Sequence, residues 1–382
     1  MSVYLDHAAT SPLRPEARDA WLAASDVVGN ASSIHAGGQA ARRLLEQSRE
    51  DLAGVLGCEP IEVVFTSGGT ESVNLALKGL WWGRPEGTDA VVLPDGEHHA
   101  TLDTVEWLAA HEGARVEAVR IDRVGRIAVD AFAAALPGGA LATALVANNE
   151  IGTVNDAAAL AAAALDAGVP LHLDAVAALG HVPVSFSAWR GTSALSVSAH
   201  KIGGPVGVGA LVVARAAHPV ALLHGGGQQR GLRSGTQDVP GAAAFAAAAV
   251  AAERERLAEG ERLAALRARL VAGVQAAIPE VELLGDPVDR LPGNAHLLFR
   301  GASGETLLFL LDQAGISVST GSACQAGVAE PSHVVLAMGR SDAEARSVLR
   351  LTLGRTSTTA DVDAVVAALP GAYARAVASA SR

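Results

Sequence analysis

Between residues 60 and 215 short apolar runs alternate with segments of helical composition, and this alternation constrains the fold more than any other feature of the chain. IEVVFTS precedes TESVNLALKGL, AVVLP precedes ATLDTVEWLAAH, LATALVAN precedes AAALAAAALDAG, and VPLHLDAV follows. Strands alternating with helices imply βαβ units and a mostly parallel sheet. Such a sheet carries its ligands beyond the carboxyl ends of its strands. The polar residues that stand out sit at those ends: Ser67 to Thr70, His98, Asn149, Asp174 and Lys201. Five strand ends are expected to converge on one rim.

Residues 241–278, rich in Ala, Glu, Arg and Leu, have strong helix propensity and are expected to link two domains. Beyond them VELLG, NAHLLF and ISVST read as strands, interleaved with helices at ETLLFLLDQAG, DAEARSVLR and TADVDAVVAAL. The expected fold class is therefore α/β, a large domain with a mostly parallel central sheet followed by a smaller α/β domain. Only the last ten residues read as a candidate disordered tail. With 382 residues, half of them hydrophobic, the chain can bury a substantial core. Its formal charge of −11 argues against a nucleic-acid binder, which needs a basic face for phosphates. Small metabolites and protein partners are the expected ligands. No apolar run is long enough to span a bilayer, and MSVYLDHAAT lacks the basic start and apolar stretch of a signal peptide, so a cytoplasmic location is expected.

The two cysteines, Cys58 and Cys324, rule out a disulfide framework. Cys58 in VLGCEP reads as a small buried hydrophobe, whereas Cys324 in STGSACQAGVAEPS is surrounded by residues too small to pack a core and is a loop nucleophile candidate. Lys201, in SVSAHKIGG, stands between a β-run and a glycine pair, where desolvation would favour its neutral, nucleophilic form. The TSGGT turn, containing Gly69 and Thr70, is either a phosphate cradle at a helix start or an ordinary glycine-rich turn with Thr70 as cap. Asp174 closes a buried strand and needs a partner that holds a proton or positive charge. A Schiff-base lysine, a carboxylate for a pyridine nitrogen and a phosphate-cradling turn are together the requirements of pyridoxal 5'-phosphate. His98, beside His99, is a candidate to stack on such a ring and move protons, while Arg350 and Arg355 are candidates to fork onto a substrate carboxylate.

Taken in order, YLDHAAT, GNASSIHAGG, TSGGTES, GEHHA, NNEIGT, HLDAV, SAHKIGG, RSGT, STGSACQAGVAEPSH and LRLTLGR resemble the cysteine desulfurases of the NifS/IscS group, class V aminotransferase relatives with the PLP-dependent transferase fold of type I. The likeness covers nearly the whole chain. It implies a large PLP-binding domain over residues 12–250 and a small domain from 1–11 and 251–382, carrying a cysteine loop at about 319–332. The sequence around EPSH resembles the branch with an extended mobile loop. Carried over residue by residue, the resemblance makes Lys201 the Schiff-base lysine, Asp174 the partner of the pyridine nitrogen and His98 the stacking acid/base. Asn149 would lie beside the phenolic oxygen and the substrate; Gly69, Thr70, Ser198 and His200 would hold the phosphate. Thr236 would reach the phosphate of the neighbouring subunit, implying a homodimer. Arg350 would grip the carboxylate of L-cysteine, and Cys324 would take its sulfur as a persulfide. From there the sulfur would pass to an iron–sulfur scaffold or a tRNA or metabolite thiolation enzyme. No intrinsic metal is implied, although Cys324 could ligate an iron–sulfur cluster in a complex.

Two positions depart from the family pattern. Ala177 stands where the family has a glutamine whose amide donates to the cofactor's phenolic oxygen, and Ala199 replaces the glycine before His200–Lys201. Two rival readings are a PLP-dependent C–S or selenocysteine lyase, and a degenerate homologue serving as a sulfur-relay binding partner. Cys324 weighs against a plain lyase, which needs no thiol, and retention of Lys201, Asp174, His98 and Cys324 weighs against degeneracy.

Overall fold

The computed structural model describes residues 2–321 and 330–380. After a two-residue strand, β1 (Val3–Tyr4), come β2 (Val63–Thr66), β3 (Ala90–Pro94), β4 (Arg115–Val119), β5 (Gly139–Leu145), β6 (Leu171–Asp174), β7 (Thr192–Ser198) and β8 (Gly209–Val213). Strands β2 to β8 form one seven-stranded sheet in the order β2-β8-β7-β6-β5-β3-β4. Only β8 runs against the others, pairing antiparallel with both β2 and β7. The expected mostly parallel sheet is thus present, and β2, β3, β5, β6 and β7 all end on the same rim.

Both faces of this sheet are covered. Phe65, Val92, Ala142, Leu173, Leu195 and Val212 point into one core. Their neighbours Val64, Val91, Leu141, Ala194, Leu211 and Val213 point into another, beneath helices Gly69–Trp82 and His99–Glu112. Burial on both sides is why these strands read as continuous apolar runs. Edge strand β4 reads differently: Arg115 and Glu117 pair with each other along it, at 2.6 Å, and the strand carries charge instead of apolar alternation.

A third core belongs to the remaining strands, β9 (Glu282–Leu284), β10 (Asn294–Leu298), β11 (Ile316–Ser317) and β12 (Val348–Thr352). β9, β10 and β12 form an antiparallel sheet in the order β12-β10-β9, while β11 pairs parallel with β1. The N-terminal strand therefore packs with the C-terminal part of the chain. Helix Val239–Ala277, about 58 Å long at 1.5 Å per residue, joins the cores: its Ala242, Phe245 and Ala248 lie in the first, and its Leu266, Leu270 and Val274 in the third. Two segments differ from the sequence reading. DAEARSVLR forms a helix only over Asp342–Ala345, after which Val348 enters β12, because Leu349 and Leu351 face the third core in alternation. The C-terminal helix, Thr359–Ala380, runs on through Pro370, since Leu369, Ala372 and Ala376 are buried in that core. No helix among the described residues is long and apolar enough to cross a membrane.

Arg290 stitches the small sheet to the turn after β5. Its buried guanidinium donates to the carbonyls of Leu284 (3.2 Å), Asp286 (3.1 Å), Ile151 (3.0 Å) and Asn294 (3.1 Å). Leaving several buried carbonyls unpaired costs about 1–3 kcal/mol each where water cannot enter. Arg290→Ala is expected to lower unfolding free energy by roughly 3 kcal/mol or more, read from the urea midpoint at constant slope; a loss below about 1 kcal/mol would show that water replaces the guanidinium.

Candidate active site

Strand β7 runs into a single 3₁₀ turn, Ala199–Ile202, that carries Lys201. Gly203 closes the turn with φ of 83°, and a Cβ there would lie 2.7 Å from Arg14 Cγ and 3.0 Å from Pro12 O, so only glycine is accommodated. Arg14 Nε donates to Ile202 O at 2.9 Å and its Nη1 pairs with Glu255 at 2.7 Å, tying the turn to the long helix. From this base Lys201 Nζ reaches the carbonyls of Ala8 (2.5 Å) and Ala9 (3.1 Å). The lysine is half-buried and one turn beyond the strand end.

Asp174, the last residue of β6, is 3% exposed. Among the described residues its carboxylate accepts a hydrogen bond from Val176 N–H at 2.8 Å. Burial raises its pKa to about 6, opposed by that hydrogen bond and by the charge of Lys201. Glu97, also fully buried, accepts from Leu145 N–H at 2.9 Å and is raised to about 8 by burial.

At the end of β2, Gly68 adopts φ of 152° and starts helix Gly69–Trp82 with no side-chain cap. Glu71 instead folds back to Ser67 N–H (2.7 Å) and is held by Arg233 at 2.8 Å. The alternative reading of Thr70 as cap is therefore not realised. A Cβ on Gly69 would come within 2.8 Å of Val176 and 3.7 Å of Ser198 Cβ, so this turn, β6 and β7 meet there. Ser198 is fully buried, and its Oγ has no hydrogen-bond partner among the described residues.

His98 caps helix His99–Glu112, its Nδ1 accepting from Ala100 N–H at 3.0 Å. That assigns the proton of the neutral ring to Nε2. Burial, with the nearby charge of Lys201, lowers its pKa to about 4; burial likewise lowers His200 to about 4. Both imidazoles are uncharged at neutral pH. Arg350, buried on β12, donates from Nη1 to Asn149 O (3.1 Å) and pairs through Nη2 with Asp6 (2.9 Å), while its Nε has no partner among the described residues.

One cavity of about 470 Å³ gathers Gly69, Thr70, His98, Asn149, Asp174, His200, Lys201 and Arg350, with Ala177, Ser319 and Gly321 also on its wall. Ser198 sits just behind Gly69. Thr236 is exposed and lies outside this cavity, as does Arg355, which follows β12. Cys324 and most of the expected 319–332 loop lie outside the described residues. Sequence reasoning missed Asp6, which engages Arg350, and the Ala8 and Ala9 carbonyls that hold Lys201. YLDHAAT, quoted only as a likeness, was the available signal: a carboxylate directly after a short apolar strand at the N-terminus.

These residues fit a flat cationic ring bearing a phosphate. Among the described residues the buried Asp174 carboxylate has no cationic hydrogen-bond partner, the role a protonated ring nitrogen fills, and an uncapped helix start lies beside the Ser198 hydroxyl, a setting suited to an anion.

Comparison with known proteins agrees. The aminotransferase class-V family matches residues 3–365. The chain is 50% identical over 381 residues to the IscS-like cysteine desulfurase of Mycobacterium tuberculosis, covering 98% of this chain and 96% of that protein. The solved structure of a NifS-like protein matches with a TM-score of 0.92 at 30% identity, covering 98% of this chain and 100% of that one. A structure described as SspA in complex with cysteine matches with a TM-score of 0.78 at 30% identity, over 92% and 99% of the two chains.

The raised pKa of Asp174 makes a stability prediction for the cofactor-free protein. A carboxyl with a folded pKa near 6 and an unfolded value near 3.9 destabilises the fold once ionised, so the penalty is absent below about pH 4, grows to about pH 6 and is constant above. Asp174→Asn is expected to stabilise the cofactor-free chain at pH 7 by about 2–3 kcal/mol, with the difference vanishing near pH 4. Equal melting temperatures at pH 7 would mean the carboxylate is already compensated.

Proposed function

The chain belongs to the aminotransferase class-V family, and from that premise and the site we infer a pyridoxal-phosphate-dependent cysteine desulfurase, which takes sulfur from L-cysteine onto Cys324 as a persulfide and releases L-alanine. The observation that carries this reading is the convergence of Lys201, Asp174, His98 and Arg350 on one cavity whose wall includes Gly321, three residues before Cys324.

Each residue has a role that its surroundings support. Lys201 would hold the cofactor covalently; Asp174 would pair with its ring nitrogen, and His98 would cover its face. Asn149 would lie beside its phenolic oxygen, with Gly69, Thr70, Ser198 and His200 around its phosphate. Where the family has a glutamine, Ala177 lines both the main cavity and an adjoining pocket of about 40 Å³ that also contacts His7, His181 and Asn294. That is room for one water, which would take the place of the missing amide. Thr236 would complete the phosphate site of a second copy. Support for such a dimer comes from a groove of about 540 Å³ lined by Ala31, Ser32, Gly226 to Arg230 and Gln237, flanked by the exposed Val28 and Ile34.

Pyridoxal phosphate, when bound, supplies a protonated ring that accepts the electron pair left when a substrate Cα–H bond breaks. Arg350 orients the substrate carboxylate while Asp6 keeps its guanidinium in register. The Lys201 amine, lifted from the Ala8 and Ala9 carbonyls, takes the Cα proton. Cys324 thiolate then attacks the substrate sulfur: an S–S bond forms as the Cβ–S bond breaks, and the pair from that bond stays on carbon and is protonated. The net change converts L-cysteine and the Cys324 thiol into L-alanine and the Cys324 persulfide. An iron–sulfur scaffold or a thiolation enzyme would receive the sulfur, and the 319–332 segment would run from the third core, against which Val318 packs, to the first, which holds Val334 and Val335.

Purified holoenzyme is expected to be yellow and to release sulfide and alanine from L-cysteine with a thiol reductant. Cys324→Ala should stay yellow and lose both products, whereas Lys201→Ala should lose about 10²–10⁴-fold in exchange of the L-alanine α-proton with D₂O. Undiminished alanine release by Cys324→Ala would refute the persulfide step and favour a lyase.

A further inference from the structure

The NNEIGT turn after β5 places three consecutive side chains in three directions. Asn148 ties the turn to the neighbouring loop, its Nδ2 donating to Gly96 O at 3.0 Å and its Oδ1 accepting from Glu150 and Ile151 N–H at 2.9 and 3.0 Å. Asn149 faces the cavity. Glu150, 2% exposed, points toward the two chain ends that flank the Cys324 segment.

Its Oε2 accepts from Ser332 Oγ at 2.6 Å, the length of a charge-assisted hydrogen bond. The same oxygen lies 3.0 Å from where a Cβ on Gly321 would stand, and Gly321 has φ of 90°, so the chain passes against the carboxylate only because no side chain intervenes. Glu150 O accepts from Asn294 Nδ2 at 2.9 Å, which fixes the glutamate on the small sheet as well. Both flanks have further anchors. Ser319 pairs through N–H and C=O with Arg350 (3.1 and 2.7 Å), and His333 Nε2 lies 2.8 Å from Glu97 O, with its ring edge-on to His99.

We propose that Glu150 is a positioning residue for sulfur transfer: its buried carboxylate holds Ser332 by a hydrogen bond and packs against Gly321, a clasp beside the cavity that sets where Cys324 meets the substrate. This inference rests on the reading of Cys324 as the sulfur acceptor. Glu150 does not line the cavity and touches neither substrate nor cofactor in this role. Ser332, which also caps its own short helix at Val335 N–H (3.2 Å), is the second half of the clasp.

The test compares holoenzymes of the wild type, Glu150→Ala, Glu150→Gln and Ser332→Ala in two assays. Exchange of the L-alanine α-proton with D₂O, followed by NMR, reads the lysine chemistry without the thiol; single-turnover formation of alanine from L-cysteine reads sulfur transfer. Glu150→Ala and Ser332→Ala should lower alanine formation by about tenfold to a hundredfold while α-proton exchange stays within about twofold. Glu150→Gln, whose amide oxygen still accepts from Ser332, should recover most of the loss. Unchanged alanine formation, or an equal fall in both assays, would overturn the proposal, the latter by revealing a merely structural role. Should Glu150→Ala not fold, Ser332→Ala decides by the same criteria. A wild type that exchanges the α-proton but forms no alanine from L-cysteine would instead refute the desulfurase reading itself.

Discussion

A carboxylate buried at the end of β6 is an unfavourable thing for a protein to keep, and the site is organised around it. Asp174 sits between strands whose side chains fill cores on both faces of the sheet, and only 3% of it is exposed. One backbone N–H and the charge of Lys201 are its local compensation. A cationic ring satisfies it best, and the surrounding groups are what such a ring needs: an amine on the adjacent strand's turn, an imidazole from β3's far end, an open helix start beyond β2. The parallel topology is what delivers them. Because β2, β3, β5, β6 and β7 run the same way, the residue following each lands on one rim, and the reversed β8 contributes none.

That rim supplies only half of the cavity. Arg350 and Ser319 come from the third core, and Asp6 from the N-terminal segment that packs with it. Lys201 itself leans on Ala8 and Ala9. The amine is thus held by the segment that also presents Asp6 to Arg350. Burial keeps His98 and His200 neutral near pH 7, so neither places an imidazolium beside Lys201.

Much of this was legible in the sequence because doubly buried strands announce themselves as apolar runs and the polar residues that end them are conspicuous. Lys201, Asp174, His98, Asn149 and the TSGGT turn were all visible in that way. What was not legible follows from tertiary contacts. β4 lies at an edge and carries Arg115 and Glu117, so its pattern is not that of a buried strand. SVLR read both as the end of the helix DAEARSVLR and as the start of the strand-like LRLTLGR; the third core decides for the strand, pulling Leu349 and Leu351 into an alternation that puts Arg350 on the cavity side. Asp6 and the carbonyls of Ala8 and Ala9 act only across more than 190 residues of sequence, which no local pattern records.

The turn after β5 is where the two halves of the site are made to depend on each other. Asn148 fastens it to the loop that presents Glu97 and His98, on the cofactor side. Arg290 and Asn294 fasten it to the small sheet, with Arg290 donating to Ile151 O and Asn294 to Glu150 O. Gly152, at φ of 81°, lets Asn294 approach within a distance that any Cβ would block. A rigid strand end therefore carries, on adjacent residues, one side chain facing the cavity and one accepting from Ser332. Geometry of that kind suits a reaction in which a thiol must meet a substrate sulfur only after the substrate has been gripped on the opposite wall.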